Sequence, residues 1–373
     1  MRNEIKRVET PDWGVPAGEV LAEALAERGW SQAELARRTN RPIKTVNEII
    51  RGRSTITPET ALQLELVLGV PASLWLNLER NFSEWQARRQ EQERFRAEMP
   101  WAERFPLRDL AKHRLIPATG TKLDRVQELL RFFGVTSPIA WERQWESAAV
   151  SYRRAAAYEP KRESVFAWLR WGEIEAAKID CAQFDAERLR EVIPQVRPLT
   201  RLDFFAFQPQ LQELLASGGV AVVFLPELAD LHLNGAARWL GPEKALIQLS
   251  FRHKREDVFW FSVFHELDHL LRGGRRKTFI DLGGAADPTE EDERAADLFA
   301  GETLIPEVLY RKFVEARDFS TEAVKRFAKE IDVSPGIVVG RLQREEQIGR
   351  GGALNRLITP IHWPDEPRRG SQA

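Results

Sequence analysis

The stretch that most constrains this chain is FSVFHELDHLLR, residues 261–272. It sets His265, Glu266 and His269 as H-E-x-x-H inside an apolar run with helical periodicity. Positions four apart on a helix lie one above the other, so the two imidazoles can share one metal ion. Glu266 projects beside that ion, where a carboxylate can take a proton from an activated water and pass it to a leaving amine. Phe261, Val263, Phe264, Leu267, Leu270 and Leu271 wrap the motif in apolar surface, which excludes water and strengthens electrostatics. Gly273 and Gly274 supply a helix stop. The chain has six His in 373 residues, and such a motif arises by chance in about one chain in a hundred of this composition. The competing interpretation is a core helix with two incidental His, and a third ligand decides against it.

Catalytic zinc takes three protein ligands and keeps one open position. The next helical pattern is TEEDERAADLFAGETLIP, residues 289–306, which opens with acids and closes before Pro306. Its carboxylates are Glu290, Glu291, Asp292, Glu293, Asp297 and Glu302. Helical geometry puts Glu293, Ala296, Asp297, Ala300 and Leu304 on one face, and the small alanines permit close approach to the H-E-x-x-H helix. Glu293 is then the expected third ligand. Asp297, one turn on, is placed to receive the spare ring N–H of a ligating His. Glu290 and Glu291 fall in a solvated first turn.

FSVFHELDHLL followed by ERAADLFAGETLIP resembles the ImmA/IrrE family of metallopeptidases. In that family the H-E-x-x-H helix is followed by E-x-x-A-[ND]-x-F-A-x-x-L-x-P. Those positions are met by Glu293, Ala296, Asp297, Phe299, Ala300 and Pro306, with Leu304 one residue late. The resemblance implies Zn2+-dependent cleavage of a partner protein, often a repressor, by a gluzincin-like mechanism. One position departs: Asp268 stands where the family usually has Gly. It either alters metal preference or faces solvent.

The formal net charge is −1, so any nucleic-acid binding must come from a local patch. The single cysteine, Cys181, excludes an internal disulfide and fits a reducing compartment. The N-terminus has no apolar signal-like core, and no run approaches a membrane span. The expectation is a cytoplasmic protein with no membrane association.

Residues 16–80 read as five short helices. AGEVLAEALAERG turns Val20, Leu21, Ala24 and Leu25 inward. SQAELARRT starts at Ser31, with Glu34 completing a capping box. PIKTVNEIIRG has Pro42 near its first turn, and TPETALQLELVLG is capped by Thr57 with Pro58 at its first position. PASLWLNLERNF closes the unit. Two short helices around Ala36 read as helix-turn-helix. Arg37, Arg38, Arg41, Lys44, Arg51 and Arg53 crowd this region, against Glu48 alone in that window, as phosphate contact requires. In this docking mode the third helix enters the major groove by its N-terminal end. The exposed candidates are Arg41, Ile43, Lys44, Thr45 and Asn47, with Lys44 the foremost base-edge reader and Thr45 next; Gln32 is placed for a phosphate and Arg53 belongs to the patch. The alternative is a solvated charged face on a protein-interaction module. The segment Pro16–Phe82 is similar to HigA-like antitoxins of the Xre helix-turn-helix superfamily. That resemblance implies operator DNA binding, usually as a homodimer, and repression; a toxin-like partner is a further possibility it leaves open.

Residues 83–200 show repeated helical stripes carrying Trp141, Trp145, Trp168 and Trp171, and read as a helical connector. His113 there is a surface or packing residue. From 201 the pattern turns α+β: PQLQELLASGG is a helix, and VAVVFLPEL, NGAARWL and KALIQLSF are strands. In zinc peptidases of this type an edge strand beside the site helix can align substrate as an added strand. Gly235 resembles the Gly of the family's second strand, while His232 and His253 are loop or strand-end residues. Helices PEVLYRKFVEAR, STEAVKRFAKEID and VSPGIVVGRLQREEQI follow, with Tyr310 within possible reach of an oxyanion. A tail from Gly351 reads as loose.

The expected class is mainly α with a small α+β domain. It comprises a helix-turn-helix domain (1–82), a helical connector (83–200), a gluzincin-like metallopeptidase domain with a short β-sheet (201–350), and a flexible tail (351–373). The expected function is DNA-bound regulation coupled to zinc-dependent cleavage of a regulatory protein. The alternative is an antitoxin or repressor whose metal site is structural or inactive and whose C-terminal domain grips a partner.

Overall fold

The computed structural model describes residues 14–145, 161–272, 279–281 and 290–361. It divides into two compact units, Met1–Met99 and Pro100–Ala373.

The first unit begins with α1 (Ala17–Glu27), α2 (Gln32–Arg38), α3 (Ile43–Ile50) and α4 (Pro58–Leu68). Their inward stripes converge on a core containing Leu21, Leu25, Leu35, Val46, Ile49, Leu64 and Trp75. Val20 and Ala24 pack at its margin rather than inside it. Ser31 caps α2 by accepting from the Glu34 N–H at 3.2 Å. Only this half of the expected capping box is seen, because the Glu34 carboxylate turns to Arg37 and Arg38. Thr57 caps α4, and Gly69 closes it in the left-handed conformation that a Cβ disfavours.

Gly18 sits where α1 meets the end of α3. A Cβ there would lie 2.1 Å from the Ile49 carbonyl oxygen and 2.8 Å from that of Ile50. Alanine gains about 1 kcal/mol of helix propensity over glycine. Forcing two backbones apart costs roughly 1–3 kcal/mol, and here no flexible side chain can yield. Gly18→Ala is therefore expected to lower the denaturant midpoint of the full chain's N-terminal transition. An unchanged or higher midpoint would show that the helices separate freely.

The expected fifth helix and the charged segment after it form one continuous element, α5 (Ala72–Ala102). No Gly or Pro interrupts residues 72–99, and ion pairs one turn apart lace its surface: Glu84–Arg88, Glu91–Arg94 and Glu93–Arg96. Pro100 falls in the last turn, where its missing N–H precedes the end of the helix by two residues.

The second unit continues with α6 (Leu107–Lys112), α7 (Lys122–Phe133), α8 (Pro138–Gln144), α9 (Arg162–Ala176) and α10 (Ala186–Val196). Trp101, Phe105, Phe133, Trp141 and Phe166 meet edge to face, with Trp141 at 5.3 Å from Phe105 and 5.7 Å from Phe166. Such packing adds about 0.5–1.5 kcal/mol per pair beyond simple burial. His113 lies on the Trp171 ring at 4.7 Å, which fits packing, and burial lowers its pKa.

Next come α11 (Phe204–Ser217), β1 (Val220–Phe224), β2 (Gly235–Trp239) and β3 (Ala245–Leu249). After them come α12 (Glu256–Arg272), β4 (Phe279–Asp281), α13 (Glu290–Leu304), α14 (Glu307–Glu315), α15 (Thr321–Glu330) and α16 (Pro335–Arg344). The sheet order is β1-β3-β2-β4; β1 and β3 are parallel, and β2 is antiparallel to both β3 and β4. Both faces are covered. Val220, Val222, Ala237, Ile247 and Leu249 join the core built with α11 and α12. The opposite face carries Arg238 and Gln248, which bond to α9: Gln248 donates to the Trp168 carbonyl at 2.7 Å, and Arg238 donates to that of Leu169 and pairs with Glu173 at 3.0 Å. Two covered faces explain why the strands read as unbroken apolar runs with isolated polar residues.

The expected loose tail is tied down as far as Ile361. The Thr359 N–H donates to the buried Glu256 carboxylate at 2.7 Å, the Ile361 N–H donates to the Lys254 carbonyl at 3.0 Å, and the Ile361 side chain is buried. Leu354, Leu357 and Ile358 also pack on the core, apolar content that the prolines and polar end of the tail obscured. The Gly273–Gly274 stop lies outside the described residues.

Candidate functional site

α12 is the spine of the site. It packs against β2, β3, α13 and α16, and Val263, Phe264, Leu267 and Leu270 bury its apolar face. Phe261 and Leu271 lie at the margin of that core. His265, Glu266 and His269 are buried with it. Ala296 and Ala300 of α13 have no exposed surface, and their small side chains let the two helices approach closely.

That approach brings three donor atoms together. His265 Nε2 and His269 Nε2 are 2.9 Å apart. Glu293 places one carboxylate oxygen 3.2 Å from His265 Nε2 and the other 3.3 Å from His269 Nε2. Two nitrogens and an oxygen around a tetrahedral zinc at about 2.0–2.1 Å would be separated by about 3.3 Å, so this donor set fits zinc in type and spacing. Burial pushes the Glu293 carboxyl up, but hydrogen bonds with the two His outweigh it and hold the pKa at about 2. The group is thus an anion at any ordinary pH, as a ligand must be.

His265 Nδ1 lies 3.1 Å from Asp297 Oδ1. A proton on Nδ1 donated to this carboxylate leaves the Nε2 lone pair aimed at the donor cluster. Burial raises the Asp297 pKa, yet the His265 hydrogen bond and Arg344 bring it below the ordinary value. Arg344 at the end of α16 bonds Asp297 at 2.5 Å and stacks over Phe261 at 4.2 Å. Sequence reading missed Arg344; a basic residue in the last turn of a helix gives no hint of a partner 47 positions away.

Glu266 is fully buried beside the first residue of β2. A Cβ on Gly235 would sit 2.9 Å from Glu266 Oε1, so that glycine makes room for the carboxylate. Asp268 neither joins the donor set nor faces solvent: it is buried and paired with Arg272 one turn on. Tyr310 is buried with its ring under the Arg341 guanidinium at 3.9 Å, a packing role instead of the oxyanion contact considered from sequence. β4 pairs along the outer side of β2, so the sheet edge on that side is β4. Three residues are too few to show a strand periodicity, which is why β4 escaped notice. His232 is exposed, and His253 lines a cleft at the start of α12.

In the first unit, Asn47 donates to Gln32 at 3.0 Å, linking α3 to the start of α2. Arg41 is drawn inward to Gln63 at 2.6 Å and lies 3.8 Å from Glu59. Lys44 is exposed beside Glu48, Thr45 is half-buried, and Ile43, Arg51 and Arg53 are exposed. The patch is thinner than composition implied, because Glu34 pairs with Arg37 and Arg38 and Glu59 lies near Arg41. Exposed cationic side chains remain on Arg37, Arg38, Lys44, Arg51 and Arg53, of which Arg37 and Arg38 pair with Glu34 and Lys44 lies beside Glu48.

Residues 21–75 match the family described as helix-turn-helix, and residues 233–343 match the IrrE N-terminal-like domain. An uncharacterized HTH-type transcriptional regulator of Escherichia coli K12, YddM, is 33% identical over 66 residues, covering 18% of this chain and 70% of that protein. The chain belongs to the helix-turn-helix family of regulators. Its C-terminal part is an IrrE-like domain of the metallopeptidase kind. Solved structures similar to the helix-turn-helix part include an antidote protein of a plasmid maintenance system from Nostoc punctiforme, 30% identical, covering 23% of this chain and 94% of that one with a TM-score of 0.23. Antitoxin HigA of Pseudomonas aeruginosa, solved with the higBA promoter, is 30% identical, covering 23% of this chain and 95% of that one with a TM-score of 0.22. Among the described residues no helix is long and apolar enough to cross a membrane.

Proposed function

We propose that this helix-turn-helix regulator is a zinc-dependent endopeptidase that cleaves a regulatory, repressor-type protein while its N-terminal unit addresses operator DNA. The observation that carries the reading is the convergence of His265, His269 and Glu293 beside the buried Glu266. His265, His269 and Glu293 would hold the ion. When bound, zinc supplies Lewis acidity toward a carbonyl oxygen and a water. Glu266 accepts the proton of the attacking water and returns it to the departing amine nitrogen, so one carboxylate serves as base and then acid. Asp297, braced by Arg344, keeps the His265 proton on Nδ1. The apolar face of α12 keeps bulk water from the site.

On the DNA side, Lys44 is the foremost candidate at a base edge, with Thr45 beside it and Arg53 on the backbone. Gln32 and Asn47 act as a bonded pair at the entry of α3, and Arg41 acts chiefly by bracing α3 on α4. A homodimer reading two half-sites is the expected assembly.

Both halves are testable on the full chain. Zinc content near one per chain, with cleavage of a co-expressed regulator that chelation stops and zinc restores, is the expected peptidase result. One zinc per chain with no cleavage of any candidate would favour a repressor or antitoxin with a structural metal and a toxin-like partner. For DNA, Lys44→Ala is expected to weaken binding to a selected operator about tenfold and to reduce the salt slope by about one. Unchanged affinity and slope would remove Lys44 from the interface.

A further inference from the structure

Ile43 is the first residue of α3, at the end by which a recognition helix meets base edges in the major groove. It is apolar yet 53% exposed. Val46 and Ile49 of the same helix are buried in the core of the first unit and Ile50 packs at its margin, whereas Ile43 belongs to neither. Single exposed apolar residues are ordinary on a protein surface, so exposure alone assigns nothing. What distinguishes Ile43 is its surroundings. At about 100° per residue, Ile43, Lys44, Asn47 and Arg51 share one side of α3, turned away from Val46 and Ile49. Lys44 and Arg51 are exposed cations, and Asn47 is held by its 3.0 Å bond to Gln32. This side of the helix therefore carries the charge that suits a phosphate backbone, with one apolar side chain at its leading end.

The presentation of Ile43 is set by the backbone before it. Asn40 takes the left-handed conformation at φ 50°, the Arg41 N–H donates to the Ala36 carbonyl at 2.9 Å, and Pro42 occupies the N-cap position of α3. The side chain itself is β-branched and stiff at χ1, so it loses little rotamer freedom when a contact forms. Isoleucine has no hydrogen-bonding atom. Of the groups that base pairs present in the major groove, only the thymine C5-methyl is apolar, and the rest are donors and acceptors. Against adenine, guanine or cytosine, Ile43 would strip water from polar groups and return no hydrogen bond, which costs binding. Against thymine it buries one apolar group on another, which favours binding.

We infer that Ile43 is a specificity residue that reads the C5-methyl group of one thymine in each operator half-site, beside the base pair met by Lys44. The inference rests on the operator-binding reading and deepens it, by naming a base that the half-site must contain.

The test isolates one methyl group. The full chain selects an operator from a random duplex library, and each thymine of one half-site is then replaced singly by deoxyuridine, which keeps base pairing and charge and removes only the methyl. Fluorescence anisotropy is expected to show one thymine whose replacement weakens binding about fourfold, the worth of one buried methyl group. In Ile43→Ala, thymine and deoxyuridine at that position are expected to bind equally, and in Ile43→Val most of the difference should return. The slope of log affinity against log salt in Ile43→Ala is expected to match the parent's, because no phosphate contact is lost, in contrast to Lys44→Ala. Ile43 lies outside the core, so the thermal unfolding of its variants should also match the parent's. Operator binding that is indifferent to every deoxyuridine overturns the inference and leaves the DNA-binding reading intact. A thymine preference that survives unchanged in Ile43→Ala overturns it equally. Failure to select any duplex would sink the operator reading and the inference with it.

Discussion

Glu266→Gln is expected to retain zinc near one per chain and to lose cleavage by about a hundredfold to ten-thousandfold, the range assigned to general acid–base catalysis. Glutamine has the same shape as glutamate, so it fills the space that Gly235 leaves and keeps α12 packed on β2. It does not belong to the donor cluster, which is formed by His265, His269 and Glu293. What it lacks is a carboxylate able to take a proton from water and return it to nitrogen. Single-turnover cleavage with parallel metal analysis checks both halves of the expectation. A variant that cleaves at the parent rate would eliminate Glu266 as the base, and one that loses zinc as well would assign it to the metal.

His269→Ala removes one corner of a triangle whose sides are 2.9, 3.2 and 3.3 Å. Zinc is expected to drop from about one per chain to well below a tenth under dialysis, because the two remaining protein donors leave a shell that zinc does not favour. Ligand that binds only the folded state stabilises it by about 4 kcal/mol at a thousandfold excess over Kd. The parent's melting temperature should therefore fall on chelation and recover with zinc, while the variant's should respond to neither. A parent that melts identically with and without zinc would refute the metal centre. The His269 imidazole is also buried, so the variant is expected to melt below the apo parent as the lost side chain leaves a cavity.

Much of this site was legible because helices translate spacing into geometry. His265 and His269 four apart, Glu266 beside them and the small Ala296 and Ala300 beside Glu293 each follow from one period of 3.6 residues. Contacts between elements, and which side chains become buried, carry no such period. Arg344 reaches Asp297 from α16, Asp268 turns to Arg272, and Tyr310 is covered by Arg341. The Arg344 and Arg341 contacts have no sequence periodicity, whereas Asp268–Arg272 is one helical turn apart and its burial is what the sequence did not show. The charged run after Phe82 shows the same limit in reverse. A change of composition suggested a boundary, yet backbone hydrogen bonding continues wherever no Gly or Pro stops it, and α5 runs on to Ala102.

The helix-turn-helix pattern, the H-E-x-x-H helix, the helix that follows it and, among the described residues, three of the four strands are written in the sequence. Each is a local pattern of side chains that one element must satisfy alone. Packing in three dimensions set β4 along β2, the chain after Gly351 across the start of α12, and Glu59 beside Arg41 in the basic patch. These features depend on which surfaces meet in space, and that is set by the summed burial of many distant side chains and not by any one local period.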